Sequence, residues 1–195
     1  MSPPRGYDPI AVVLHWFLAA AVAGQFALGW LMQEIAKSPP GPRAAAFNLH
    51  KSIGLAILAL MLFRLAWRAR HAPPPFPAMP AWQARAARAN HALLYGLLLM
   101  LPIVGYLGSA FSGYPVRFFG IALPVWAARD ETLKSLMSTA HLGAAWLLAA
   151  AVALHVAAVA RHALVQRDGL LARMRLRGRS GFRVSPREAA PARAR

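Results

Sequence analysis

"STAHLGAAWLLAAAVALHVAAVARHALVQRDG", residues 138–169, decides how the chain is read. Its core is built from Ala, Leu, Val, Gly and Trp, yet it carries two imidazoles, His141 and His155. Ionisable side chains are costly in so apolar a setting and usually mark function. Fourteen residues at ~1.5 Å rise set the two rings roughly 21 Å apart along a helix. At ~100° per residue the rotation falls only about 40° short of four turns, so both rings point to nearly the same side. One helix therefore offers two imidazoles, one above the other, near opposite edges of a layer about as thick as a bilayer core.

Working outward, three more apolar runs appear. "IAVVLHWFLAAAVAGQFALGWLM", residues 10–32, has no charge and is long enough to cross a membrane. "SIGLAILALMLF", residues 52–63, is shorter but extends through Arg64 to Trp67. "NHALLYGLLLMLPIVGYLGSAF", residues 90–111, contains Pro102, which bundled membrane helices tolerate. The 195 residues are 58% hydrophobic and only 14% charged, against ~25% charged in a typical soluble domain. The sequence thus predicts an all-α integral membrane four-helix bundle over residues 1–175 and a basic, disordered tail over 176–195. The first run is too long for a signal-peptide core and has no small-residue cleavage site ahead of soluble sequence, so it is expected to stay in the mature protein. With no Cys, disulfides, thiolate catalysis and Cys-ligated clusters are excluded.

A net charge of +16 raises the question of nucleic acid, and its distribution answers it. The N-terminus, the 64–88 segment and the region from Arg161 onward hold 16 Lys/Arg against three acids. Loops 33–51 and 112–137, on the opposite side of a four-span protein, hold six against three. The positive-inside rule then puts both termini and the 64–88 connection in the cytoplasm. The Arg-rich tail becomes a juxtamembrane segment facing anionic lipid headgroups rather than a nucleic-acid arm. "APPPFPAMP", residues 72–80, reads as a stiff connector. "LMSTAH" points to an N-cap near Ser138 or Thr139. The preceding aromatic segment reads as an interfacial loop.

Alternating spans give each histidine a depth. His15 lies about two turns inside the cytoplasmic end of span one, level with His155. His50 opens span two on the outer side, level with His141, and His91 opens span three on the inner side. Two levels with two imidazoles each, on facing helices, is the arrangement for bis-histidine haem, whose iron takes axial ligands from opposite faces. Zinc is poorly served, because two His per level without Cys or a nearby acid falls short of its usual ligand set. The six acids, Asp8, Glu34, Asp130, Glu131, Asp168 and Glu188, all lie elsewhere, which argues against carboxylate proton pumping and acid/base hydrolysis. Gly54, one turn after His50, and Gly143, two residues after His141, are small residues that fit beside a flat ring.

Any single histidine reads better as a buried side chain bonded to a nearby carbonyl; four in matching pairs favour haem. His162 competes with His155 from the same face but falls past Arg161, at interface depth. His71, in the connector, has no role to play. His91 can line the inner haem or a quinone pocket, or serve only as an interfacial polar residue. Arg64 follows His50 by fourteen residues, so it can pair with a haem propionate or snorkel to headgroups.

The ordered set "LHW" (span one), "NLHKSIGLAILALMLFRLAWR", "NHALLYGLLLMLPIVGYL" and "AHLGAAWLLAAAVALHVAAVARHALVQRDGLLARM" resembles the bacterial cytochrome b561 family over nearly the whole chain. That resemblance implies two haem b groups, one held by His15 with His155 and one by His50 with His141, the pairing that depth gives independently. It also implies a multi-pass location in the bacterial inner membrane, quinone as a membrane substrate, and in some members superoxide as the donor. Three readings stay open: transfer from a periplasmic donor such as superoxide to ubiquinone, a haem subunit fed by a protein redox partner, and a structural bundle without cofactor. The outer loops' net +3, from Lys37, Arg43, Lys51, Arg117, Arg129 and Lys134 against three acids, suits a small anion.

Overall fold

A computed structural model describes residues 6–76 and 79–176. Four long helices dominate it: α1 Pro9–Glu34, α2 Pro40–Arg70, α3 Ala81–Ala110 and α4 Glu131–Arg161. All four are long and apolar enough to cross a membrane. Their outward faces carry large apolar side chains, including Phe17, Leu31, Leu62, Leu142 and Leu154, each about half exposed or more. Such faces need hydrocarbon rather than water. The basic tail expected over 176–195 lies, apart from Leu176, outside the described residues.

The helices start where backbone chemistry allows. Asp8 caps α1, its carboxylate accepting from the amides of Ile10 and Ala11, with Pro9 in the first turn, where no amide is needed. Asp130 caps α4 in the same way, accepting from Thr132 and Leu133 at 2.9 Å each. The cap expected at Ser138 or Thr139 is therefore misplaced by two turns. A carboxylate next to the helix dipole outcompetes hydroxyls, and Ser138 and Thr139 fall inside the helix. α2 and α3 also begin about ten residues before their apolar runs, so His50 and His91 sit well inside their helices rather than at their starts. α3 runs straight through Pro102.

Backbones pack closely between α3 and α4, α1 and α2, and α2 and α3. One apolar cluster joins Leu97, Leu101, Ala144 and Leu148, and another joins Leu18, Ile57 and Met61. Val22 and Leu98 pack against both. A seven-residue spacing on each helix organises this core: His15, Val22, Gly29 on α1; His50, Ile57, Arg64 on α2; His91, Leu98, Gly105 on α3; His141, Leu148, His155 on α4. Seven residues are nearly two turns, so each set stays on one face. Val22, Ile57, Leu98 and Leu148 form an apolar middle layer, and polar side chains lie on either side of it.

At the end bearing both termini, the inner end in the orientation expected from charge, the last described residues fold back over α1. The Tyr7 amide donates to the Arg173 carbonyl at 3.1 Å, and Trp16 Nε1 donates to the Met174 carbonyl at 2.9 Å. At the opposite end a hairpin of β1 Arg117–Phe118 and β2 Ile121–Ala122 closes the loop between α3 and α4. Its two turn residues, Phe119 and Gly120, both have positive φ, the form that matches strand twist. Phenylalanine rarely adopts that conformation, and a hydrogen bond supports it here: buried Ser52 Oγ accepts the Phe119 amide at 2.8 Å. Tyr114, Phe119, Ile121, Val125 and Trp126 around this turn are exposed, an aromatic and aliphatic set suited to the membrane interface.

Candidate haem-binding site

The four helices bring the histidines together in two pairs. His15 on α1 and His155 on α4 have ring centroids 6.2 Å apart at an interplanar angle of 64°. His50 on α2 and His141 on α4 are also 6.2 Å apart, at 73°. A metal–imidazole bond of ~2.0 Å, plus ~1.1 Å from ring nitrogen to ring centre, puts two rings about 6.3 Å apart across one metal atom. Both pairs match that span. His91 also approaches His155, but at 5.4 Å the rings are closer than a shared linear axial position requires.

The surroundings of the outer pair fit a bis-imidazole centre. His141 Nδ1 lies 3.0 Å from the Leu101 carbonyl, which fixes the ring and leaves Nε2 available to ligate a metal. His50 Nδ1 is buried without a partner. Glycines clear the space beside each ring: a Cβ on Gly105 would stand 3.0 Å from His141 Cε1 and Nδ1, and one on Gly29 would stand 3.3 Å from His50 Cε1. The glycines expected from sequence play other parts. Gly54 makes room for the Gln25 amide, and Gly143 faces outward with nothing near it, because two residues along a helix is a rotation of ~200°. Gly29 and Gly105 escaped the sequence reading, although each follows a core histidine of its own helix by fourteen residues.

Inner-level polar groups are held within the bundle. Arg64 Nε donates to Tyr95 Oη at 3.3 Å and Nη1 donates to the Ala11 carbonyl at 3.1 Å, so this side chain points inward instead of snorkelling. Asn90 Nδ2 donates to the Ala151 carbonyl at 3.3 Å, tying α3 to α4 one turn before His155. His162 is not part of either pair. Its Nδ1 meets Asp168 Oδ2 where α4 widens into a π-turn over His162–Gln166. Partial burial pushes the Asp168 carboxyl up, but hydrogen bonds from His162 and the Leu170 amide outweigh it and hold the group below its ordinary value. His71 stacks on Trp67 with ring centroids 4.0 Å apart, away from both pairs. Among the described residues, no three His, Cys, Asp or Glu side chains converge as a bare-ion site. Two imidazoles per level suit a group that brings its own equatorial ligands, as haem does.

A four-helix membrane bundle with two stacked imidazole pairs defines the class of membrane b-type cytochromes. Sequence comparison agrees: the family described as prokaryotic cytochrome b561 matches residues 6–176. The chain belongs to the prokaryotic cytochrome b561 family, whose members are haem b electron-transfer proteins of the membrane. It is 32% identical over 185 residues to Cytochrome b561 homolog 2 of Escherichia coli (strain K12), covering 94% of this chain and 98% of that protein. Cytochrome b561 homolog 1 of the same strain is 30% identical over 175 residues, covering 86% and 96%. A protein named Probable superoxide oxidase CybB, from Yersinia pestis, is 26% identical over 172 residues, covering 87% and 96%. The expected fold, family and multi-pass inner-membrane location are borne out.

Proposed function

We propose that this protein passes electrons from superoxide at its outer face to quinone in the membrane, using two haem b groups held by His50 with His141 and by His15 with His155. The observation that carries this reading is the repeated 6.2 Å ring separation at two levels of one bundle. Haem b supplies reversible one-electron chemistry at each level. In the net reaction two superoxide anions each give up one electron and leave as dioxygen, while one quinone takes both electrons and two protons to become a quinol.

The chain's own residues suit the two ends of that reaction. Arg129 and Lys134 are both engaged by Glu131; of the four other outer cations, Lys37, Arg43, Lys51 and Arg117, Lys51 lies next to His50 and Arg117 is exposed on the hairpin, and both can draw in an anion. At the inner end a mostly apolar recess of about 370 Å³ is lined by Val12, Trp16, Leu171, Met174, Arg175 and Leu176. Trp16 stands edge-on to His15 with centroids 5.3 Å apart, so a quinone ring in this recess would lie one aromatic ring from the inner pair. Asp168 keeps His162 oriented at the same end, where its Nε2 can deliver protons from the cytoplasm. In this reading Arg64 would pair with a propionate and His91 would line the inner site, supported by the inward hydrogen bond of Arg64 to Tyr95 and the 5.4 Å approach of His91 to His155.

The reading is tested with enzymatically generated superoxide, a soluble quinone analogue and no second protein. Quinol formation that requires this chain, is abolished by superoxide dismutase and slows as salt rises is expected. Lys51→Glu with Arg117→Glu should slow it further without changing the haem spectrum. Haems that stay oxidised under superoxide at low salt would reject the donor and favour electron delivery by a partner protein.

A further inference from the structure

We propose that Gln25 is a positioning residue for His50, its side-chain oxygen accepting a hydrogen bond from the Nδ1–H of that imidazole and so tuning the outer haem; this rests on the bis-histidine reading above. A histidine that ligates through Nε2 carries its proton on Nδ1, and ligating histidines nearly always hand that proton to an acceptor that fixes the ring and sets its basicity. The two outer imidazoles differ in this respect. His141 has the Leu101 carbonyl at 3.0 Å, whereas His50 Nδ1 is buried with no partner.

The missing acceptor lies on α1. Gln25 Nε2 donates to the backbone carbonyl of His50 at 2.6 Å, so this amide already sits against the residue in question. Its other half, Oε1, is a buried acceptor without a partner. The Nδ1 edge of His50 faces the same helix: a Cβ on Gly29, one turn beyond Gln25, would lie 3.6 Å from Nδ1. Gly54, one turn beyond His50, keeps room for the amide, since a Cβ there would come within 3.3 Å of Gln25 Nε2. The other buried unpartnered acceptors among the described residues, on Gln83 and Asn90, belong to α3 near the inner end. Two complementary orphans on facing helices, already joined by one hydrogen bond, leave a second bond to be made when Nδ1 carries its proton. The terminal torsion of a glutamine is soft, so a small rotation, or one bridging water, completes it.

An acceptor on Nδ1–H makes the imidazole a stronger donor to iron and favours the oxidised state. Optical redox titration of the purified holoprotein therefore tests the proposal. The haem missing from His141→Ala identifies the outer potential. Gln25→Met, which keeps the length and loses both hydrogen bonds, should raise that potential and leave the inner one in place. Gln25→Glu, which retains an acceptor, should sit at or below the parent value. Gln25→Met that moves neither potential, or moves both equally, would overturn the proposal. If Gln25→Met does not assemble, the Glu variant decides: an outer potential above the parent value overturns it. Retention of both haems in His50→Ala would instead overturn the ligand assignment on which it rests.

Discussion

His155 stands at the junction of three helices, with its ring 6.2 Å from His15 and 5.4 Å from His91. Only the longer of these distances matches two imidazoles sharing one metal atom. The proposed pairing therefore takes His15 as the ligand partner and His91 as a neighbour at the same level. It also predicts different outcomes for four substitutions on the inner side. His15→Ala and His155→Ala should each remove one haem and leave the outer one. His91→Ala should retain both, and so should His162→Ala, whose partner is Asp168. Haem-to-protein ratios of the purified variants check this, and loss of a haem from His162→Ala would contradict the pairing.

The glycine beside His141 is the tightest clearance in the site. A methyl group on Gly105 would meet the ring at 3.0 Å, and the Leu101 carbonyl holds that ring against moving away. Gly105→Ala should therefore weaken or abolish the outer haem, seen as a fall toward one haem per chain. Gly143→Ala, on the open face, should retain both haems and stabilise the helix by roughly 0.5–1 kcal/mol. Equal behaviour of the two variants would show that the space beside His141 is not used.

Ser52 connects the outer loop to the helix of His50. Its hydroxyl accepts the Phe119 amide at 2.8 Å and lies 2.8 Å from the Asn48 carbonyl, to which it donates. Ser52→Ala leaves the Phe119 amide unpaired at a strained turn, at a cost of about 1–3 kcal/mol. Faster amide hydrogen exchange over residues 114–123 is expected, with the inner haem unchanged. Unaltered exchange there would mean that the hairpin holds its shape without the serine.

Much of this architecture is legible in the sequence because the membrane makes polarity informative. Histidines inside apolar runs can be placed by depth alone, which gave both pairs. Helix starts were less legible. α2 and α3 extend through "PGPRAAAFN" and "AWQARAARA", where alanine and arginine keep the helix going beyond the apolar window and hydropathy carries no signal. The α4 cap has a signal in Asp130, followed at once by Glu131, but it lies eight residues ahead of Ser138 and outside the most apolar stretch, where hydropathy marks no helix start. Gly143 was chosen for nearness in sequence, and the rotation of a helix makes that the wrong measure. The spacing that placed His155 below His141 also finds Gly29 and Gly105. The Gln25 contact had no comparable sequence signal, because it depends on how α1 and α2 pack.

The charge asymmetry predicts that the end where the first and last described residues meet is the cytoplasmic one. A reporter fused after Arg195 should be active only in the cytoplasm. Activity only in the periplasm would invert the donor and quinone ends.

The most direct measurement is haem stoichiometry combined with spin state. Pyridine haemochrome and reduced-minus-oxidised spectra of the purified chain should give about two b haems per polypeptide, both low-spin and six-coordinate. A single haem, or a five-coordinate high-spin signal from either, would contradict two bis-histidine centres.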